Sequence, residues 1–433
     1  VVFRPVIGEE RIAISACRNS SQATQELSMT QQMRATRAAG QARLEEFAVK
    51  MGRDYAQGRN FDRGPGAHRD VSMLSAYIRR RLLTEQEVIA TAIKTQGAEA
   101  SAKFIDEVIW RSYFKGWLEQ RPEVWDSYTA GLRQDLAALE GDAELREAVQ
   151  AAETAQTGLT YFDSWAKELI ETGYLHNHAR MWFASIWIFT LRLPWRLGAD
   201  FFLRNLLDGD PASNTLSWRW VAGLHTRGKP YVAQASNMAR FTEDRFAPRA
   251  QELTQSASGL EMLEPDGLPA CQAPRTPKAP QRHLPTAILL TEEDCRIEDF
   301  PLQDLICTTA ATLAASPLRS PRKVAQLVVQ FEAAALADVA QRSGLAARAM
   351  PMGAPSDLAR WAVQSGAEQI VTPYVPVGPL RDWLARAKPE LDAAGISLAE
   401  WRRDWDAMIW PHATAGFFKV KKQIPKFLRM MSQ

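Results

Sequence analysis

Between Thr172 and Trp220 the chain reads TGYLHNHARMWFASIWIFTLRLPWRLGADFFLRNLLDGDPASNTLSWRW. Apolar and aromatic residues dominate, yet Asn177, Arg180, Asp208, Asp210 and Asn214 recur inside the pattern. Polar groups in such surroundings must be paired within the protein or face a ligand. Two readings fit. One is a helical core with a few satisfied polar residues; the other is a pocket for a flat aromatic cofactor with a polar edge. Upstream, Glu107, Trp110, Arg111 and Phe114 recur at i, i+3, i+4 and i+7, which places an acid, an indole and a guanidinium on one helix face. Read alone, that set is an i,i+4 ion pair beside a buried Trp.

The elements that must position these residues are mostly helical. Residues 1–30 read as an irregular arm or early helix, and Thr30–Met51 has helical spacing and good helix formers. Tyr55–Arg69 is rich in Gly and charge and reads as a loop. In Val71–Ile89, Ser72 and Ser75 stand just ahead of a helix, where hydroxyls cap free N–H groups or bind phosphate. Phe104–Leu118 is an amphipathic helix, and Ser127–Ala155 is Ala/Glu/Gln-rich and helical. Residues 250–285 are rich in Pro and Gly and read as a linker. Beyond it, Thr286–Leu290, Asp304–Thr309, Ala347–Met352, Glu368–Val375 and Ile396–Trp401 read as strands, with helices between the later ones. That alternation predicts a doubly wound parallel, Rossmann-like sheet. The expected fold is an all-α domain over residues 1–250, a linker over 251–285 and an α/β domain over 286–433. There is no GxGxxG and no P-loop, so a Gly-rich nucleotide loop is not supported.

At 433 residues, two domains are the natural expectation. A net charge of +2 means that a nucleic-acid partner would need a local basic face. Fourteen Trp favour an aromatic-lined interior or electron-transfer chemistry. Cys17, Cys271, Cys295 and Cys307 form no CxxC and have no His at metal spacing, so no metal site or disulfide framework is expected, and the thiols read as free in a reducing compartment. No apolar run suits a membrane span and no signal-peptide core opens the sequence. A soluble, cytoplasmic monomer is expected.

The wording of several stretches resembles the flavin-binding core of the photolyase/cryptochrome family. The matching pieces are TGYLHNHARM (Thr172–Met181), Trp195–Arg196, LLDGDPASN (Leu206–Asn214) and SWRW (Ser217–Trp220), at the family's mutual distances. The likeness extends more loosely upstream to Tyr55. It implies FAD as cofactor, held by Tyr55, Ser72, Leu74, Ser75, Phe104, Arg111, Asn177, Arg180, Asp208, Asp210 and Asn214. Val71 stands where a Thr is usual. Arg180 and Asp208 match a buried ion pair beside the flavin ring, and Asn214 matches the amide facing N5. Trp218 and Trp195 match the flavin-proximal and middle members of a tryptophan electron-transfer path; the outer member is missing, and Trp187, Trp182 or a Tyr are the candidates to replace it.

The resemblance further implies a partner, DNA containing pyrimidine dimers, and a light-driven repair lyase acting on cyclobutane dimers. The alternative is a cryptochrome-type photoreceptor without repair. Glu107, Trp110, Asn177, Met181 and Trp220 match the positions around a flipped dimer, with Glu107 hydrogen-bonding a dimer carbonyl. Arg111, His178 and Lys229 are the implied DNA contacts. Arg79–Arg81 and Arg240 are further candidates for phosphate, although an Arg run on a helix is more commonly a solvated face. Gly223–Phe241 departs from the family's pattern, with Ala233 near the place of a phosphate-gripping Arg. The α/β part, through its strand order, Glu368–Val375 and WPHATAGFFKVKKQIPKFL (Trp410–Leu428), resembles the family's antenna domain. It comes last rather than first, which implies a circular permutation and allows a second, antenna chromophore of unknown identity.

Overall fold

A computed structural model describes residues 33–431. The arm expected over 1–30, and Cys17 with it, lie outside the described residues. Helices occupy the first part. Arg37–Ala48 lies inside the predicted Thr30–Met51, and Glu85–Gln96 starts with a capping box in which Thr84 and Glu87 satisfy each other's backbone N–H groups. Ala102–Glu119 carries Glu107, Trp110 and Arg111. Glu123–Gly141 and Ala143–Glu153 follow, then Thr160–Thr172, which ends at Gly173 in the left-handed conformation (φ 66°). Asn177–Ser185 runs into a π-helical turn, Ile186–Thr190, before Trp195–Asn205 and Pro211–Val221. Tyr55, expected in a loop, sits instead in a short helix, Arg53–Gly58. Its ring packs edge-on against Phe104 at 5.0 Å, and this burial offsets the Gly-rich local sequence.

Among the described residues five strands follow: β1 (Pro285–Thr291), β2 (Ile306–Leu313), β3 (Arg348–Met350), β4 (Gln369–Pro373) and β5 (Ser397–Trp401). They form one parallel sheet in the order β3-β2-β1-β4-β5. Along β1, Ile288 and Leu290 enter the core shared with the helical part, whereas Ala287 and Leu289 pack with Leu358, Trp361 and Leu384 on the other face. Both faces are covered, as a parallel sheet requires. Gln326–Ser343 covers the first face, and Ser356–Gln364 with Pro379–Ala393 the second.

Two features join the sheet to the helices. The first is electrostatic. Arg79, Arg80 and Arg81, candidates for phosphate contacts or a solvated face, do neither: all three are buried. They meet the acidic turn at the carboxyl end of β1. Arg79 pairs with Glu293 (2.7 Å), Arg80 with Glu292 (2.9 Å) and Arg81 with Asp294 (3.3 Å) and Asp406 (2.6 Å). A short-range pattern read gives a charge run its usual solvent exposure, but complementary acids far away in sequence remove it from water.

The second is steric. Beyond β5 the chain returns to the helical body: Trp405 Nε1 donates to Ser112 Oγ (2.8 Å) and Gln120 Nε2 to the Trp410 carbonyl (2.6 Å). Gly116 permits this approach, since a Cβ there would lie 2.7 Å from the Trp410 ring and 2.8 Å from its Cα. Backbone cannot yield as a flexible side chain does. Gly116→Ala is therefore expected to lose about 1–3 kcal/mol by overpacking, read as a lowered denaturation midpoint with unchanged slope.

The segment between Phe246 and Leu284 has no strand or long helix, but it is strapped to the body. The buried Arg219 pairs with Glu264, and Gln272 N–H donates to the Gln120 carbonyl (3.0 Å). No helix among the described residues is long and apolar enough to cross a membrane.

Candidate functional site

A cavity of about 610 Å³ opens among Ala102–Glu119, Asn177–Ser185, Pro211–Val221 and the turn before Ser75–Arg79. Pro211–Val221 enters it in a fixed pose because Asp210 caps the helix, accepting from Ser213 N–H at 2.8 Å, with Pro211 next in line. The turn before Ser75 is bent by Met73, which adopts a left-handed φ of 54° that a side chain disfavours. It brings Ser72, Leu74 and Ser75 to the wall.

Tyr55, Phe104, Glu107, Trp110, Arg111, Asn177, Arg180, Met181, Asp208, Asp210, Asn214, Trp218 and Trp220 line the same space. Arg180 Nη2 donates to both carboxylate oxygens of Asp208 (3.1 and 3.0 Å), and its Nε holds the Leu175 carbonyl (2.9 Å). Burial would raise the Asp208 carboxyl, but Arg180 and Arg111 beside it outweigh that and hold it below the usual range. Asp210 is held down more strongly still: Lys115, Arg79 and Arg111 overcome its burial. Asn214 Nδ2 donates to the Ala199 carbonyl (2.8 Å). A carbonyl only accepts, so the amide orientation is fixed and Oδ1 is left as an acceptor.

The aromatic neighbours sort into two sets. Trp218 meets Phe202 (5.1 Å between ring centroids) and, edge-on, Trp187 (6.3 Å). Trp195 meets Tyr128 (5.8 Å), which meets Trp125 (5.3 Å). Trp195 is buried behind the cavity rather than in its lining. Trp182, the other indole considered for an outer electron donor, instead stacks on His178 and Trp165.

Two implied DNA contacts lie away from the cavity lining. The His178 ring stacks on Trp182 (4.2 Å) and its Nδ1 faces the Asn60 carbonyl (3.0 Å). Burial lowers its pKa, so the ring is neutral and engaged in packing at neutral pH, which is no geometry for gripping phosphate. Lys229 is exposed on the loop after Trp220. His176 caps Asn177–Ser185 through Nδ1, accepting from His178 N–H, and burial pulls it down to about 3.

Sequence reasoning missed Arg59, His225 and Phe418, all in the lining. Arg59 pairs with Glu107 at 2.5 Å. His225 is pulled down to about 4 by burial and by Arg219 and Arg121, so it is neutral at pH 7. Phe418 comes from beyond the sheet, and only the Tyr55–Arg59 spacing, one helical turn, offered a local signal for any of the three. A buried trio of Asp62, His68 and Glu168 lies nearby, but Asp62 is taken by Trp165 Nε1 and Arg245, and Glu168 by His68 (2.6 Å).

Residues 104–251 match the family model described as the FAD binding domain of DNA photolyase. Among curated proteins, the deoxyribodipyrimidine photo-lyase of Streptomyces griseus is 32% identical over 160 residues, 37% of this chain and 33% of that protein. That of Vibrio cholerae is 29% identical over 194 residues, 44% of this chain and 40% of that protein. The chain thus spans well under half the length of these relatives. A class III photolyase from Agrobacterium tumefaciens aligns at 25% identity over 48% of this chain and 43% of its own, with a TM-score of 0.41, too low for its shape to carry weight.

The cofactor of the matched domain is FAD, and the lining suits it. Aromatic walls would take a flat ring. Among the described residues the buried Trp218 Nε1 has no hydrogen-bond partner, and Arg111 Nη1 and Asp210 Oδ2 have only ion-pair neighbours; all three belong to cavity residues. The helices around this cavity thus lie largely within the region that matches the FAD binding domain of DNA photolyase.

Proposed function

We propose that the chain is a light-driven, FAD-dependent lyase that splits cyclobutane pyrimidine dimers in DNA. One observation supports it above all: Glu107, Trp110, Asn177, Met181 and Trp220 open onto the same cavity as Arg180, Asp208, Asn214 and Trp218. Bound FAD, once reduced and photoexcited, supplies the electron that a dimer needs in order to split. The chain's own residues hold and tune that cofactor. The Arg180–Asp208 pair would hold opposite charges beside a bound ring, Asn214 Oδ1 would be free to accept from it, and Ser72, Ser75 and Arg111 would hold its phosphates. Trp218, with Trp187 or Trp195 behind it, would offer an indole path for electrons from an external reductant to that cofactor.

A dimer must leave the base stack to enter, and a lesion costs less to extrude than a sound base. Trp110 and Trp220 give it apolar walls. Arg59 pairs with Glu107 at 2.5 Å, so a guanidinium stands beside the side chain proposed to meet a dimer carbonyl. The donor aimed at negative charge on that carbonyl is then the Arg59 guanidinium. Lys229 and Arg111 remain the proposed phosphate contacts from the helical part. The α/β part serves as an antenna-type domain in permuted order, its strand order reversing between β1 and β4 as ligand-binding doubly wound sheets do.

Illumination of the reduced protein with an oligonucleotide carrying one thymine dimer tests this. Repair under blue light, absent in the dark, is expected. Arg59→Ala should slow repair about 100-fold, the cost of removing one donor to developing charge, while flavin absorption is retained. The cryptochrome-type reading draws on the altered Gly223–Phe241 loop; light-driven flavin reduction with no dimer splitting at any protein concentration would favour it.

A further inference from the structure

We propose that the segment Gly416–Met431 forms the second half of a nucleic-acid-facing rim around the cavity, with Phe418 as a base-stacking residue and Lys419, Lys422 and Lys426 as phosphate contacts. The proposal rests on the nucleic-acid reading of the cavity given above. The segment is anchored by one apolar side. Phe417, Val420, Ile424 and Phe427 recur at helical spacing and are all buried. Phe417 lies flat on Trp110, with ring centroids 3.9 Å apart and planes 13° apart, and meets Tyr113 edge-on. One face of the lesion-pocket indole is therefore covered by this segment, which leaves Trp110 its other face and edge.

Phe418 points the opposite way. It is 77% exposed and lines the same cavity as Glu107, Trp110 and Trp220. A large apolar ring held in water at the lip of a pocket, on a segment whose Phe417, Val420, Ile424 and Phe427 are turned inward, marks a surface for a partner.

Charge names the partner. After Asp406 the chain has no acid, but it has Lys419, Lys421, Lys422, Lys426 and Arg429. Without these five, the chain's slight positive excess becomes a negative one. The local basic face that a nearly neutral chain would need is thus concentrated here, beside the lip. Lys421 is engaged by Asp106 (2.6 Å), whereas Lys419, whose Nζ donates to the Thr414 hydroxyl, meets no acid among the described residues. Lys422 and Lys426 are exposed. Exposed aromatics interleaved with lysines bind single-stranded or extruded nucleotides, the ring stacking on a base and the cations following the backbone.

The test is equilibrium binding of fluorescein-labelled oligothymidylate, with and without one thymine dimer, to the full-length flavin-loaded protein as salt is varied. Phe418→Ala is expected to weaken binding of both strands about 10-fold, and Phe418→Trp to restore it. The triple Lys419→Gln, Lys422→Gln, Lys426→Gln variant should reduce the slope of log K against log salt by about 2. Flavin absorption and far-UV circular dichroism matching the wild type exclude a folding defect, and Phe418 supports no core that would cause one. Variants that bind as tightly as wild type, with the same salt slope, overturn the rim and leave the lyase reading standing. Tighter binding by the variants also overturns it, in favour of a cover over the pocket. Binding that responds to the variants but ignores the dimer keeps the rim and removes the lyase reading. A wild-type protein that binds neither strand removes both.

Discussion

Asp208→Ala is expected to yield a folded protein that has lost most of its flavin. The carboxylate is buried and accepts both bonds from Arg180. Its removal leaves a guanidinium at the wall of the cavity with only the Leu175 carbonyl on Nε. Breaking one side of a buried pair costs about 3–5 kcal/mol. The Arg180 side chain is 24% exposed, so water recovers part of that, and the low end applies. If most of the loss falls on cofactor retention, binding weakens about 100-fold. Asp208→Asn keeps the shape and removes the charge, so the two variants together separate packing from electrostatics. Flavin-to-protein absorbance ratio after gel filtration is the readout. A variant as yellow as wild type would end the assignment of this pair to the cofactor. Because the folded carboxyl is held below its unfolded value, the contribution is complete above about pH 4 and disappears as acid protonates the folded group.

Glu292→Gln is expected to give a large loss of stability. Glu292 stands at the carboxyl end of β1 and meets Arg319 (2.9 Å), Arg80 (2.9 Å) and Arg79 (3.8 Å). The four side chains are almost wholly buried. Burial would raise the carboxyl, but Arg319, Arg80 and Arg79 reverse this and bring it to about 2. Behind it Glu332, pushed up to about 7 by burial and by the Glu292 charge, accepts from the Ala315 and Ser316 N–H groups. Replacing Glu292 by a neutral amide leaves three guanidinium groups sharing fewer acids, at a cost of about 3–5 kcal/mol. A thermal midpoint lower by several degrees is expected. The pH dependence gives a second signature. The wild-type pair is at full strength above the unfolded Glu value of about 4.3 and weakens as pH falls towards 2. The variant should lose that part of the acid limb, and parallel acid-unfolding curves would show that Glu292 stabilises nothing.

The periodic elements and the unusual polar residues of the pocket wall were legible in the amino-acid order. The β1 and β4 strands read as short apolar runs because both faces of a parallel sheet are buried, and that signal needs no partner to be seen. Asn177, Arg180, Asp208, Asp210 and Asn214 stood out because polar groups are rare in apolar helices, and they converge on one cavity. Tertiary structure alone decided which charges were buried and which rings met. Arg79–Arg81 read as a solvated run until the acidic turn after β1 closed on them. Glu107 read as half of an i,i+4 pair with Arg111, but Arg59, at the end of another helix, pairs with it, and Phe417, from beyond the sheet, covers one face of Trp110. Helical and strand periodicity is written within a dozen neighbouring residues. Desolvation of a charge and stacking of two rings depend on groups far apart along the chain, which only the fold brings within a few ångströms.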